Sequence, residues 1–118
     1  MSAMTESKLQ LENRRYCGTG GVSSHNGHAG FRPAFMEAGT RAVYLSRFAD
    51  GRMAPFHILD GLPEEVVVGR SAGGRVAAVK PSMISGFVRA GRFYTRDEAA
   101  ALVEADRAFN QADDAAFA

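Results

Sequence analysis

The sequence predicts an α+β fold: an antiparallel β-meander of five or six strands with one C-terminal helix packed on it, preceded by a long Gly-rich loop. Three observations carry this expectation. Residues 41–94 alternate between runs rich in β-branched and aromatic side chains and short turn dipeptides. Thr95 and Glu98 stand at capping-box spacing ahead of a stripe of Ala, Leu and Val. Five of the thirteen glycines fall between Gly18 and Gly30, ahead of the first strand-like run.

In chain order, residues 1–15 are polar, with Leu9 and Leu11 the only strong apolar residues after Met4, and read as a flexible lead. Residues 16–40 read as the Gly-rich loop, its far end anchored by Phe31 and Phe35 on either side of Pro33. Arg41 to Phe48, Asp50-Gly51 and Met53 to Leu59 predict a first hairpin, with Pro55 placing the return strand at an edge or bulge. Glu65 to Arg70 and Arg75 to Lys80 predict a second hairpin around Gly73-Gly74. Gly86 to Arg89 and Arg92 to Tyr94 predict a third around Ala90-Gly91. In Val66-Val67-Val68 and Val76-Ala77-Ala78-Val79 both strand faces are apolar, which predicts central strands or cover on both sides. A helix over 95–109 follows, with Leu102, Val103 and Phe109 facing the sheet, and residues 110–118 form an acidic frayed tail. The whole makes one globular domain, 16–109.

Composition narrows the class. At 118 residues and 46% hydrophobic content the chain is long enough for one modest core, and its eight Phe must fill much of it in the absence of Trp. A single cysteine, Cys17, excludes an internal disulfide and fits a reducing compartment. Residues 1–15 hold no apolar run of the signal-peptide kind, and no run approaches the ~20 residues of a membrane span. The expectation is a small cytoplasmic protein of bacterial type.

Charge is unevenly spread. Residues 32–96 hold ten basic and five acidic groups, whereas residues 97–118 hold one basic and six acidic groups. Nine of those ten basic groups are arginines, which favours planar anion contacts over plain solvation. Arg41, Arg47, Arg75, Arg89 and Arg92 are interleaved with aromatics, a pattern that suits single-stranded nucleic acid by stacking and phosphate contact. The same pattern also arises in any half-buried strand, where the rings face the core and the arginines face solvent.

Motifs of chemistry are sparse. Gly69-Arg70-Ser71-Ala72-Gly73 matches a nucleophile-elbow pattern, but Pro81 leaves no room for the helix that elbow needs, and the last histidine, His57, precedes Ser71. The glycines of Gly18 to Gly21 lack a following Gly-Lys-Ser/Thr, so nothing marks them as a phosphate loop. Cys17, His25 and His28, with His57 as a fourth donor, are the candidate metal ligands, because the Asn26-Gly27 turn sets His25 and His28 across from each other. Glu64-Glu65 and Asp113-Asp114 are sequence neighbours that point apart in an extended chain, so they are poor paired catalysts. The reading is a non-enzymatic binding or accessory protein, without a cofactor, acting through a protein partner or through self-association. Nucleic acid is the alternative partner, and the Cys17/His25/His28 loop is the alternative site, of a metal-binding protein or small enzyme.

Overall fold

A computed structural model of the chain describes residues 3–17, 19, 21 and 30–105. The chain opens with a short strand β1 (Met4–Thr5) and a helix α1 (Glu6–Arg15). The Thr5 side chain caps α1 by accepting from Lys8 N at 3.3 Å, Glu6 stands at its positive end, and Arg14 and Arg15 stand at its negative end. The strands β2 (Arg32–Glu37) and β3 (Val43–Leu45) come next. After a 3₁₀ turn over Glu64–Val66 follow β4 (Val67–Arg70), β5 (Val76–Val79), β6 (Met83–Arg89) and β7 (Arg92–Thr95). Residues 96–105 form the last described helix, α2.

The α+β class and the docked C-terminal helix are as the sequence implies. The capping box is present in both directions: Glu98 N donates to Thr95 Oγ1 at 3.2 Å and Thr95 N to Glu98 Oε1 at 2.9 Å. Ala99 and Val103 of α2 pack with Phe31 and Phe87, and Leu102 lies against the same cluster. Phe109 and the tail over 110–118 lie outside the described residues.

The strands differ from a single meander. They divide into two antiparallel sheets, with orders β1-β5-β4 and β3-β2-β6-β7. The second and third expected hairpins form as β4–β5 and β6–β7. The first does not. Asp50-Gly51 does turn the chain, with Gly51 at φ +91, but only an isolated bridge, Arg47 to Met53, remains of the ladder. Pro55 lacks a donor, and the Ser46 side chain takes over the backbone groups that a return strand would pair. Ser46 Oγ donates to Phe56 O at 2.8 Å and accepts from Ile58 N at 2.9 Å.

The partner of β3 is instead β2, inside the segment read as loop. Phe31, Pro33 and Phe35 repeat every second residue, and β2 pairs with β6 along its whole length. Pro33 fits this central strand because its nitrogen points toward β3 at a position past the end of that strand, where Ser46 N still donates to Pro33 O at 2.9 Å.

Residues 4–15, read as a lead, are likewise part of the body. Leu9 and Met4 join Phe35, Leu59, Val66 and Val79 in the main core cluster. β5, between β1 and β4, is the central strand that its two apolar faces imply. No described helix is long and apolar enough to cross a membrane.

Candidate functional site

Two features stand out once the fold is in place: a buried polar cluster between the helices and the four-stranded sheet, and the opposite face of that sheet.

Pairing register fixes the faces, since residues directly opposite in a ladder point the same way and successive residues point oppositely. One face carries Pro33, Phe35 and Glu37 of β2, Tyr44 of β3, Met83, Ser85, Phe87 and Arg89 of β6, and Arg92 and Tyr94 of β7. Both hydrophobic clusters draw their residues of this sheet from that side. His57 lies there too, its ring edge-on to Phe35 at 5.4 Å and to Phe87 at 5.0 Å.

His57 is buried, and both ring nitrogens are engaged. Nε2 donates to Gly86 O at 2.7 Å, which leaves Nδ1 to accept from Arg96 Nη2 at 3.1 Å. Burial, and after it the Arg96 charge, push the imidazole down to about 3, so it is neutral at pH 7. Arg96, the first residue of α2, is only 3% exposed. Its Nε donates to Ser85 Oγ at 3.0 Å and its Nη1 to Gly21 O at 3.1 Å, and Glu12 Oε2 lies 3.6 Å from Nε. Ser85 Oγ in turn donates to Glu12, and Tyr16 donates to Asp97 at 2.5 Å. This last bond, with partial burial, raises the Tyr16 hydroxyl above its ordinary value.

These residues join α1, the Gly21 carbonyl, β6 and α2 at one point. The chemistry available there is limited. Ser85 Oγ donates to Glu12 and accepts from Arg96 rather than pairing with His57, so no imidazole stands beside it to activate it. An imidazole held near 3, with both nitrogens occupied, is a poor general base at neutral pH. The cluster is a polar pin of the fold. Sequence reading missed Arg96, Ser85 and Glu12; the one signal was Arg96 directly after the capping Thr95, where the dipole favours an acid.

The expected metal ligands are placed only in part. Cys17 is exposed just past the end of α1, and His57 is spent on Gly86 and Arg96. His25 and His28 lie outside the described residues. Among the described residues no three His, Cys, Asp or Glu side chains gather at ligand range.

The five singled-out arginines do not form one cluster. Arg75 directly precedes β5 of the three-stranded sheet and is paired with Asp60 at 3.1 Å and Glu6 at 3.7 Å. Arg47 binds Gly51 O at 2.9 Å within its own turn. Arg41 stands in the β2–β3 turn at φ +62. Only Arg89 and Arg92 come together, as a cross-strand pair beside the Ala90-Gly91 turn. The Arg89 guanidinium lies 4.3 Å from the Phe31 ring centre, and that of Arg92 lies 5.1 Å from the Tyr94 ring centre.

The other face of the same sheet carries Arg32, Ala34 and Met36 of β2, Val43 and Leu45 of β3, Ile84, Gly86 and Val88 of β6, and Phe93 and Thr95 of β7. Arg32 and Thr95 are its only polar side chains. None of its residues belongs to either hydrophobic cluster, because both helices deliver their buried side chains to the opposite face. Ala34 and Gly86 lie buried at its centre, Met36, Leu45, Ile84, Val88 and Phe93 are half-buried around them, and Val43 is 43% exposed. Met53, bridged to Arg47, extends it and is 39% exposed. An antiparallel sheet with one face on the core ordinarily turns polar residues to water on the other. This one carries aliphatic and aromatic residues there instead.

No family model, no curated protein and no solved structure matches the chain.

Proposed function

We propose that this chain is a non-enzymatic binding protein of the cytoplasm that works by seating a protein partner on the second face of its four-stranded sheet. The observation that carries the proposal is the apolar character of that face, with no described residue of the core clusters over it. Contiguous apolar surface rimmed by polar residues is the usual mark of an interaction site. The polar groups that catalysis would draw on, His57, Ser85 and Glu12, are engaged in holding the helices to the sheet.

A second reading has its own observation. Arg89 and Arg92 lie over Phe31 and Tyr94 at one end of the sheet, a small arginine–aromatic platform suited to a single-stranded nucleic acid. Two arginines make a short platform, and such binding would fall steeply with salt.

Site-specific photo-crosslinking separates these. A benzophenone side chain at position 84 or 88 of the full chain, irradiated in the cell that makes it, is expected to give a discrete protein adduct. The same group at Leu11, which is 59% exposed on α1, is expected to give none. Equal adducts from all three positions, or none from 84 and 88, would remove the protein-partner reading. Salt-sensitive binding of a single-stranded oligonucleotide, lost in Arg89→Ala/Arg92→Ala, would then put the second reading in its place.

A further inference from the structure

We infer that the partner on this sheet face is an amphipathic helix that carries carboxylates at both ends of its apolar stripe, and not a second copy of this chain. The inference rests on the reading that the face receives a protein, and adds what that protein must look like. It follows from the charges at the ends of the face.

At one end stand Arg32 and Arg47. Arg32 is on the face itself, exposed, with its Nη1 3.5 Å from Met53 Sδ. Arg47 lies beside it, because Ser46 N donates to Pro33 O and carries the β2–β3 register one step further. At the other end Arg41 is exposed in the β2–β3 turn. Among the described residues none of the three is ion-paired. The sheet's strands hold a single carboxylate, Glu37, and it points to the other face. There Ser82 Oγ at 2.6 Å and the amides of Thr40 at 2.8 Å and Gly39 at 3.1 Å saturate it. Asp50, near the first end, is taken up by Arg52 at 2.7 Å. The face is therefore apolar in the middle, with Arg32 and Arg47 at one end and Arg41 in the turn beyond the other, and the sheet's strands offer it no carboxylate.

That pattern decides against a second copy. Two identical sheets stacked face to face are related by a two-fold axis lying between them, parallel to their planes. If the axis runs along the strands, each end of the sheet faces its own copy, arginine against arginine. If it runs across them, Arg32 and Arg47 of one molecule face Arg41 of the other. Both arrangements bring like charges together over a desolvated patch, which suppresses association.

A helix meets the requirement. A stripe of apolar residues at helical spacing covers the centre of the face, and acidic residues beyond each end of the stripe reach the arginines. β2 is six residues long, ~20 Å at strand rise, which a helix covers in ~13 residues. The acidic groups then stand three to four turns apart.

The test uses the full chain and two synthetic peptides. Each has the same four-turn leucine stripe, with paired Glu at both ends in one and paired Lys in the other. The Glu peptide is expected to bind at least about tenfold tighter at low salt, with the gap closing to about threefold or less at 1 M salt, where the screening length falls to about 3 Å. Arg32→Glu/Arg41→Glu, two exposed positions whose exchange leaves the thermal midpoint near that of the parent, is expected to reverse the preference. Equal binding of the two peptides, or binding of neither, overturns the inference. A sedimentation dimer abolished by Ile84→Glu overturns it in favour of the second copy. A photo-adduct from position 84 to a different protein, with neither peptide bound, leaves the binding function standing and removes only this account of the partner.

Discussion

Arg96 Nη2 donates to His57 Nδ1 across 3.1 Å, so a guanidinium at the start of the C-terminal helix and a neutral imidazole from an irregular segment hold each other inside the protein. The pair dictates a pH dependence. The His57 ring has an ordinary value of 6.5 and is held down to about 3, so the unfolded chain binds this proton more readily than the folded one. Its stabilising contribution is fully present above 6.5 and is lost as pH falls through the interval down to about 3, at about 1.4 kcal/mol per unit. Glu37, held at about 2 chiefly by the Ser82 hydroxyl and then by the Gly39 and Thr40 amides, adds a loss of the same sign at lower pH, from 4.5 downward.

Imidazole nitrogen spectra are the direct check. They should show His57 as the Nε2–H tautomer with no titration between pH 8 and pH 5. Denaturant unfolding should show stability falling from pH 6.5 to pH 5, with that part of the slope missing in His57→Gln. A His57 ring that titrates near 6.5 would contradict the closed cluster.

Docking of the N-terminal helix rests on Leu9, which is 2% exposed and part of the main core cluster. Leu9→Ala should cost ~2–5 kcal/mol, and Leu11→Ala, on the exposed side of the same helix, should change stability by under about 0.5 kcal/mol. Equal small effects would mean that α1 is not held on the core.

Gly86 sits under Phe93 at the centre of the second sheet face. A Cβ there would come 2.5 Å from the Phe93 ring and closer still to the backbone oxygen of Tyr94. The ring can swing aside, but the backbone oxygen cannot without disturbing the β6–β7 ladder. Gly86→Ala should destabilise by ~1–3 kcal/mol. Gly74→Ala, in the open β4–β5 turn at φ +85, tests a different cause, backbone strain without a clash, and should cost less, ~1 kcal/mol. A larger loss at Gly74 than at Gly86 would contradict the close packing of Phe93 on this face.

Local signals carried much of the fold. Thr95 and Glu98 form the capping box that their spacing implies, and Gly74 and Gly91 adopt the positive φ that their hairpin turns need. What could not be read locally was partnership. β3 had an apparent return strand after Asp50-Gly51, and nothing near it in sequence reveals that Ser46 Oγ would capture the backbone of Phe56 and Ile58 while β2 supplied the ladder. β2 itself was masked by the glycines before it and by Pro33 within it. The polar pin is non-local in the same way: Glu12, His57, Ser85 and Arg96 come from four separate elements, and no spacing links them. The second sheet face was hidden for a different reason. Its residues alternate with core residues in Met36-Glu37 and in Ile84 to Val88, and only the pairing register shows that the helices cover one side.

The account turns on that face gaining cover in the cell, and oxidative footprinting of the isolated and the cellular protein measures the change. Purified full-length chain at low concentration should be labelled by hydroxyl radicals at Met36, Val43, Met53 and Val88. The same protein labelled in the cell that makes it should be protected at those four positions, while Leu11 and Val68, which is 56% exposed on the other sheet, stay labelled in both. Unchanged labelling of Met36, Val43, Met53 and Val88 between the two conditions would contradict the proposed binding face.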